Sequence, residues 1–141
     1  MKWREGVRVV RGGAQEMTML APGAAGRATA FEFTGTGGFQ TWIGTVAFQP
    51  KSRTRPHHHG RHEVAVHVLR GQGEIRWGER LEFATTIRQG DFVYFAPGVP
   101  HQEMNLSPTD RLDFLVVRSD SEKIAINLDA IVPAETPKYV F

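Results

Sequence analysis

The sequence predicts an all-β fold, either an antiparallel sandwich or a barrel. Fifteen glycines and eight prolines are spread along the 141-residue chain and separate short stretches rich in Val, Ile, Phe and Thr. Short strands with turn signals between them are typical of β-sandwiches and barrels. An apolar stripe with helical spacing does not occur before residue 119, so the body of the chain is expected to contain no helices.

Eight strands are predicted in the body of the chain, in the order residues 27–34, 39–48, 63–70, 73–77, 81–87, 91–95, 100–105 and 112–118. Turn signals at residues 36–38, 70–73 and 96–98 separate several of them. Alternation with a period of two supports the assignment, because Val64, Val66 and Val68 share one face of their strand.

The two ends of the chain are expected to be less regular than its body. Residues 1–25 include a segment rich in Gly, Ala and Pro, which predicts an irregular connection. A last strand is expected at residues 124–128, followed by a loose tail whose apolar side chains dock either on the body or on a partner subunit. We therefore expect a single domain over residues 1–141, with its core at 27–118.

Composition and charge exclude several classes of protein. The chain is 40% hydrophobic and 23% charged, which is ordinary for a globular protein. Its formal net charge of +2, with no basic run, argues against binding to nucleic acid or to a membrane surface. The absence of cysteine excludes disulfides, thiolate clusters and a cysteine nucleophile. An N-terminus that alternates charged and apolar residues does not fit a signal peptide, so a cytoplasmic location is expected.

The histidines are strongly clustered. All six lie between residues 57 and 101, and five of them fall within residues 57–67. In an extended strand His57 and His59 project from the same face, close enough to share one ion. Glu63, after a short turn, could add a carboxylate oxygen. Sets of histidine and carboxylate suit Fe(II), Mn(II), Ni(II), Cu(II) or Zn(II), so the run predicts a site for one divalent transition metal.

This first cluster resembles the first of two motifs of the cupin superfamily. That motif is a glycine, five residues, H-x-H, three or four residues, a glutamate, six residues and a glycine. His57, His59 and Glu63 follow its spacing, while the leading glycine is missing and seven residues separate Glu63 from Gly71. Either a β-bulge absorbs the extra residue, or His62 or His67 completes the site in place of Glu63.

The second cluster, at residues 90–105, resembles the second cupin motif. In the family this motif is a glycine, five residues, P-x-G, two residues, a histidine, three residues and an asparagine. Gly90, Gly98, His101 and Asn105 match it position for position, and Ala96 replaces the proline. A strand that enters this turn would present His101 to a metal held by the first cluster.

The resemblance implies a jelly-roll β-barrel with a metal inside, commonly in a homodimer. Carried over to this chain, the metal ligands would be His57, His59, Glu63 and His101. Cupin activities include dioxygenases, decarboxylases, isomerases, epimerases and lyases, besides proteins that only bind or store ligands. The fold therefore implies a small-molecule substrate or ligand without selecting a reaction.

Several further residues are candidates for the pocket. His67 shares its strand face with Glu63 and is either an acid/base group or a hydrogen-bonded core histidine. Glu103 and Asn105 share a face with His101, so Glu103 could take part in catalysis and Asn105 could contact substrate or close a turn. Tyr94 and Trp42 could line the substrate pocket or belong to the core.

Three functions are consistent with these residues. The leading hypothesis is a metal-dependent enzyme, of oxygenase, isomerase or lyase type, that acts on a small organic molecule. The first alternative is a non-catalytic cupin that binds or senses a small molecule. The second alternative is a metal-free cupin similar to sugar epimerases. In that case the histidines and the glutamate of the ligand set would have no role in binding a metal.

Overall fold

The computed structural model describes residues 3–6, 9, 11, 16–21, 25–31, 41–119 and 125–141. These residues form a short 3-10 turn at Trp3–Gly6 and twelve β-strands. The strands are β1 (Glu16–Ala21), β2 (Ala25–Phe31), β3 (Trp42–Phe48), β4 (His57–His58), β5 (Val64–Arg70), β6 (Gln72–Trp77), β7 (Phe83–Arg88), β8 (Phe92–Phe95), β9 (His101–Met104), β10 (Leu112–Arg118), β11 (Ile126–Asn127) and β12 (Lys138–Tyr139). The predicted all-β fold is confirmed.

The strands form two six-stranded sheets, which pack face to face as a jelly-roll barrel. The order is β1-β2-β3-β10-β5-β8 in the first sheet and β11-β4-β9-β6-β7-β12 in the second. Among the described strands, neighbours run antiparallel except for β12, which pairs in parallel with β7. This order places β4 beside β9, so the two histidine clusters of the sequence come together in one sheet.

Apolar side chains that alternate along the strands fill the space between the sheets. In β10 every second residue is buried, and Phe114 of this strand meets Phe48 of β3 edge to face, with ring centroids 5.3 Å apart. Ile75 and Ile87 of the second sheet belong to the same core cluster. Burial of one such side chain stabilises the fold by about 1.5–3 kcal/mol, so this core stabilises the barrel that carries the site.

A β-bulge interrupts β5 near its C-terminal end. The pairing of β5 with β10 skips Leu69, which is therefore the extra residue. Gly71 follows with a φ of 89°, and a Cβ atom added there would collide with the main-chain oxygen of Arg111. Glycine avoids both the strained conformation and the collision, which explains why this residue ends the strand.

Each of the eight predicted strands overlaps one observed strand. Positions 32–34, 39–40 and 124 of the predicted strands lie outside the described residues. The irregular connection expected from the Gly-, Ala- and Pro-rich residues 21–26 lies where β1 ends and β2 begins, and its residues 22–24 are outside the described ones. Strand β1 was not predicted, because it pairs with β2 through main-chain hydrogen bonds that an apolar pattern does not reveal.

The main chain of the C-terminal tail pairs with the body, whereas three of the apolar side chains predicted to dock stay largely exposed: Val132 at 74%, Tyr139 at 56% and Phe141 at 93%. Lys138 and Tyr139 pair with β7, and the ring of Phe141 stacks on Trp77 with centroids 6.0 Å apart. In the part of the chain that the structure describes, no helix has the length and apolar character needed to cross a membrane.

Candidate metal centre

Three histidines meet where β4 lies beside β9. His57 is the cross-strand partner of His101, and His59 follows two residues after His57. The ring centroids are 4.4 Å apart for His57 and His101, 5.0 Å for His59 and His101, and 4.9 Å for His57 and His59. Each residue offers one ring nitrogen, and the three nitrogens lie within 4.8 Å of one another. The group could hold a metal ion.

Hydrogen bonds to main-chain carbonyls set the tautomer of two of these rings. Nδ1 of His57 lies 2.7 Å from the carbonyl oxygen of Arg55, and Nδ1 of His101 lies 2.9 Å from that of Val99. A carbonyl oxygen only accepts hydrogen bonds, so both Nδ1 atoms carry a proton and donate it. When such a ring is neutral, it therefore presents an unprotonated Nε2, which is the atom a metal ion binds.

Glu103 places a carboxylate beside the three histidines, although, among the described residues, the group that could hold a metal consists of the histidines alone. Its Oε1 lies 3.5 Å from Nε2 of His101, which is longer than a normal hydrogen bond. That Nε2 is buried and has no hydrogen-bond partner among the described residues. Two ligand atoms held about 2.1–2.2 Å from one ion lie about 3.0–3.5 Å apart at angles of about 90–110°. The observed separation is therefore compatible with two ligands of a shared ion.

The charge states of the group also suit a metal ion. Burial raises the pKa of the Glu103 carboxyl, but the interaction with His101 and the positive charges that the His101, His57 and His59 rings carry when protonated outweigh it and hold this pKa at about 2. Burial lowers the pKa of His57 below its ordinary value of 6.5. At pH 7 the group thus offers an ionised carboxylate and a neutral imidazole, which is the form that divalent first-row metals bind.

The segment before β4 and the neighbouring ring of Phe95 hold these side chains in place. The main-chain N–H of Glu103 donates to Oγ1 of Thr54 at 3.1 Å, and the carbonyl oxygen of Glu103 accepts from the N–H of Thr54 at 3.0 Å. The ring of His101 stacks on Phe95 with centroids 4.1 Å apart. Such supports keep ligand atoms close to their binding positions before an ion arrives.

The group opens onto a cavity of about 370 Å³ between the two sheets. His57, His59 and Glu103 line one part of it. The remaining walls are mostly apolar side chains of β3, β5 and β10, namely Trp42, Val46, Phe48, Val64, Val66, Phe114 and Val116. A mainly apolar cavity with a few convergent polar groups is the usual form of a small-molecule site.

The structure differs from the expectation for Glu63. Its exposed side chain accepts a hydrogen bond from the hydroxyl of Tyr94 at 2.9 Å and is not part of the group that could hold a metal. The bulge in β5 does not turn Glu63 inward, because it lies at the other end of the strand. The first cupin motif has six residues between its glutamate and the following glycine. Counted back from Gly71, that position is Val64, which is 3% exposed and faces the cavity.

His67 and Tyr94 also lie outside the cavity. His67 is on the outer face of β5, where its ring stacks on Phe92 with centroids 4.1 Å apart and its Nδ1 lies 3.2 Å from the carbonyl oxygen of Asp91. Tyr94 is 60% exposed. His62 is buried but does not belong to the group that could hold a metal. The inward positions of β5 are its valines, so alternation sends both Glu63 and His67 outward.

Asn105 closes a turn instead of contacting the cavity. Its side-chain amide donates to the carbonyl oxygens of Phe48, Gln49 and Asp110 at 3.1, 3.2 and 2.8 Å. Its Oδ1 accepts from the N–H of Ser107 at 3.1 Å. This side chain therefore ties the end of β9 to two loops. Among the three residues predicted to line the pocket, Trp42 is the one that does so.

Arg118 and Arg27 line the same cavity, although neither stands out as a site residue in the sequence. Arg118 has the parity of Phe114 and Val116 on β10, and this alternation is the signal that could have indicated its inward direction. Arg27 pairs in register with the inward-facing Val46 of β3.

Known proteins share both the domain and the fold. Residues 44–118, more than half of the chain, match the cupin domain family. No curated protein sequence is significantly similar to the chain.

Solved structures with the same fold have low sequence identity to this chain. The polyketide cyclase RemF from Streptomyces resistomycificus has a TM-score of 0.71 and 21% identity, covering 93% of this chain and 89% of its own. An uncharacterised double-stranded β-helix protein from Klebsiella pneumoniae has a TM-score of 0.67 and 18% identity, with coverages of 86% and 96%. An oxalate oxidase in complex with glycolate has a TM-score of 0.64 and 16% identity, with coverages of 77% and 57%. Because the family match spans more than half of the sequence and these structures share the barrel, the chain belongs to the cupin family.

Proposed function

We propose that this protein is a metal-dependent enzyme that acts on a small organic molecule. In this proposal His57, His59 and His101 bind one divalent transition metal and Glu103 is the fourth ligand. When bound, such an ion supplies a Lewis acid for a substrate oxygen or a redox centre. Oxygenase, isomerase and lyase reactions are the classes that such a site serves.

The observation that carries the proposal is that the candidate ligands line a cavity. His57, His59 and Glu103 all border the space of about 370 Å³ between the sheets. In a structural metal site, protein groups fill every coordination position, whereas a catalytic site keeps a position for water or substrate. The fold also occurs in a polyketide cyclase and an oxalate oxidase, so it accommodates small-molecule chemistry.

The chain's own residues orient the ligands and exclude water. The carbonyl oxygens of Arg55 and Val99 hold the protons of His57 and His101 on Nδ1. The aromatic and aliphatic walls of the cavity remove water from around the substrate, which strengthens the electrostatic interactions inside. Glu103 contributes a negative charge that offsets part of the charge of the ion.

Equilibrium dialysis of the chelator-treated protein against Mn(II), Fe(II), Ni(II) and Zn(II), read by elemental analysis, tests the metal site. We expect one ion per chain in the parent and almost none in His57→Ala and His101→Ala. His67→Ala is the matched control, because this histidine lies on the outer face, and it should bind as the parent does. Equal binding by all four proteins would show that the ion is held elsewhere.

Water-proton relaxation of the Mn(II)-loaded protein tests whether the site is open. An open coordination position exchanges water with the solvent and raises the relaxation rate above that of a closed site. A rate no higher than that of a fully protein-coordinated Mn(II) would contradict an enzymatic site and favour a non-catalytic protein. Turnover of any substrate later identified must disappear on chelation and in His101→Ala.

A further inference from the structure

A second cavity, of about 660 Å³, lies where β8 of the first sheet faces β6 and β7 of the second. Its walls share no residue with those of the cavity at the histidines. The ring of Phe95 borders the second cavity and stacks on His101 with centroids 4.1 Å apart. These two stacked rings therefore stand between the second cavity and the candidate metal centre.

The second cavity opens at the edge of the first sheet. In the part of the chain that the structure describes, β5 is the one strand that pairs with β8, so the opposite edge of β8 is uncovered. Phe92, Tyr94 and Phe141 line the cavity and are largely exposed, which places three aromatic rings around its opening. A cluster of exposed apolar side chains at one place on a surface is characteristic of a binding site.

The inner walls of the second cavity are apolar. They are formed by inward-facing side chains of β6, β7 and β8 and by the turn before β9, namely Ile75, Trp77, Ile87, Val93, Phe95 and Val99. Among the described residues that line the cavity, Asp91 carries the one charged side chain, and its Oδ2 accepts from the N–H of Arg88 at 2.8 Å in the turn before β8. An ionised ligand would lose its hydration against uncharged walls, so the cavity favours an uncharged one.

Two residues of the second cavity suit an aromatic ligand with a polar group. The indole of Trp77 is half-buried, and it already stacks in an offset manner with the ring of Phe141, whose centroid is 6.0 Å away at an interplanar angle of 18°. Thr85 faces the interior from β7, opposite Ile75. Its hydroxyl lies 3.4 Å from the carbonyl oxygen of Thr86, which is a long hydrogen bond, and a hydroxyl can rotate toward a better partner.

We infer that the second cavity binds a small, uncharged aromatic molecule that is distinct from the substrate of the metal centre. The ring of this ligand lies against Trp77 and Phe95, and its polar group forms a hydrogen bond with the hydroxyl of Thr85. The volume, the apolar walls and the single inward hydroxyl are those of a small-molecule site. Binding here requires no metal ion, so the inference is independent of the proposed function.

Fluorescence titration with N-phenyl-1-naphthylamine tests this inference. This dye is uncharged, has one N–H group, and becomes fluorescent in an apolar environment. We expect the full-length, chelator-treated protein to bind about one dye per chain with a dissociation constant below about 100 μM. Trp77→Leu should weaken binding by about 3–10-fold through loss of the stacking face, and Thr85→Val by about 2–10-fold through loss of the hydroxyl. Val93→Trp should abolish saturable binding, because it places an indole inside the cavity.

Trp42→Phe is the matched control, because this tryptophan lines the cavity at the histidines and not the second one. It should bind the dye as the parent does. If Val93→Trp does not fold, as judged by circular dichroism and thermal melting, Thr85→Phe decides, since it also fills the second cavity from an inward position.

Three results would overturn the inference. The first is a parent protein that shows no saturable rise in fluorescence. The second is binding that weakens in Trp42→Phe but not in Trp77→Leu, which would place the dye in the cavity at the histidines. The third is binding that decreases as the protein concentration rises while light scattering shows a doubling of mass. That result would assign the aromatic opening to contact between two copies of the chain.

Discussion

Glu103 stands two positions after His101 on β9, and its Oε1 lies 3.5 Å from Nε2 of that histidine. Alternation along the strand turns both side chains inward, so one strand places a ring nitrogen and a carboxylate oxygen beside each other. The first cupin motif would take its carboxylate from β5. In this chain the residue with that spacing is Val64 of β5, and the carboxylate that lies beside the histidines is Glu103 of β9.

Glu103→Gln should weaken metal binding, whereas Glu63→Gln should not. The first substitution removes an ionised oxygen beside His101, while the second changes an exposed side chain that contacts Tyr94. We expect the dissociation constant to rise by about 10–100-fold for Glu103→Gln. Competition with a chromogenic chelator measures it. A larger rise in the dissociation constant for Glu63→Gln would indicate that Glu63, beside β5, is the carboxylate ligand.

The metal-free protein should lose stability in mild acid. Burial lowers the pKa of His57 below 6.5 in the folded state, so as the pH falls the unfolded chain takes up this proton first. The stability contributed by the neutral ring is therefore complete above pH 6.5 and decreases below it, by at most about 1.4 kcal/mol per pH unit. Urea unfolding at several pH values measures the slope, which His57→Asn should reduce. An identical slope in this variant would contradict the assignment.

Protonation of Glu103 should cause a second loss of stability at lower pH. Its pKa is held at about 2 in the folded protein, against an ordinary value of 4.5. The unfolded chain therefore binds the proton first between these two values, and stability falls further in that range. Glu103→Gln should remove this part of the acid sensitivity, measured by the same unfolding experiment. A parent protein whose stability is constant between pH 4.5 and 2 would contradict it.

Asn105→Ala should destabilise the fold without altering the metal site. The side-chain NH2 of Asn105 donates to three carbonyl oxygens, and its oxygen accepts from one N–H. These hydrogen bonds join the end of β9 to the neighbouring loops. Loss of these bonds should lower the free energy of unfolding by about 2–4 kcal/mol. Gln72→Ala, an exposed position on β6, is the control and should change it by less than about 0.5 kcal/mol. Loss of metal by the folded variant would instead give Asn105 a role at the site.

Gly71→Ala should be more destabilising than Gly90→Ala. Both glycines have positive φ, 89° and 94°, so alanine is strained at either position by about 1–2 kcal/mol. At Gly71 an added Cβ would also collide with the main chain of Arg111, whereas nothing lies within 4 Å of it at Gly90. Denaturant unfolding compares the two variants. Equal losses would show that the turn at Gly71 relaxes easily.

Much of the fold was predictable because apolar residues alternate clearly. The pattern of Val64, Val66 and Val68 identifies the inward face of β5 directly. The three histidines were predictable for a different reason, since His57 and His59 are two residues apart and a turn with motif spacing presents His101. These features are local. They follow from the geometry of a single strand or turn and do not depend on which other strand lies beside it.

The carboxylate and the arginines depend on pairing between distant strands. The H-x-E spacing of His101 and Glu103 shows a shared face, but only the pairing of β4 with β9 brings that face to the other two histidines. Arg118 likewise gains its partner Trp42 from the register of β10 against β3. The structure turns Glu63 outward because the buried valines of β5 determine its inward face, whereas the prediction assigned that face from the glutamate.

Crystallographic location of the ion in the metal-loaded protein, by anomalous diffraction at the metal's absorption edge, tests the central claim most directly. We predict one peak within about 2.0–2.3 Å of a ring nitrogen of each of the three histidines and of a Glu103 oxygen, with the open side toward Arg118 and Trp42. A peak coordinated by Glu63, or a peak remote from His57 and His101, would contradict the account.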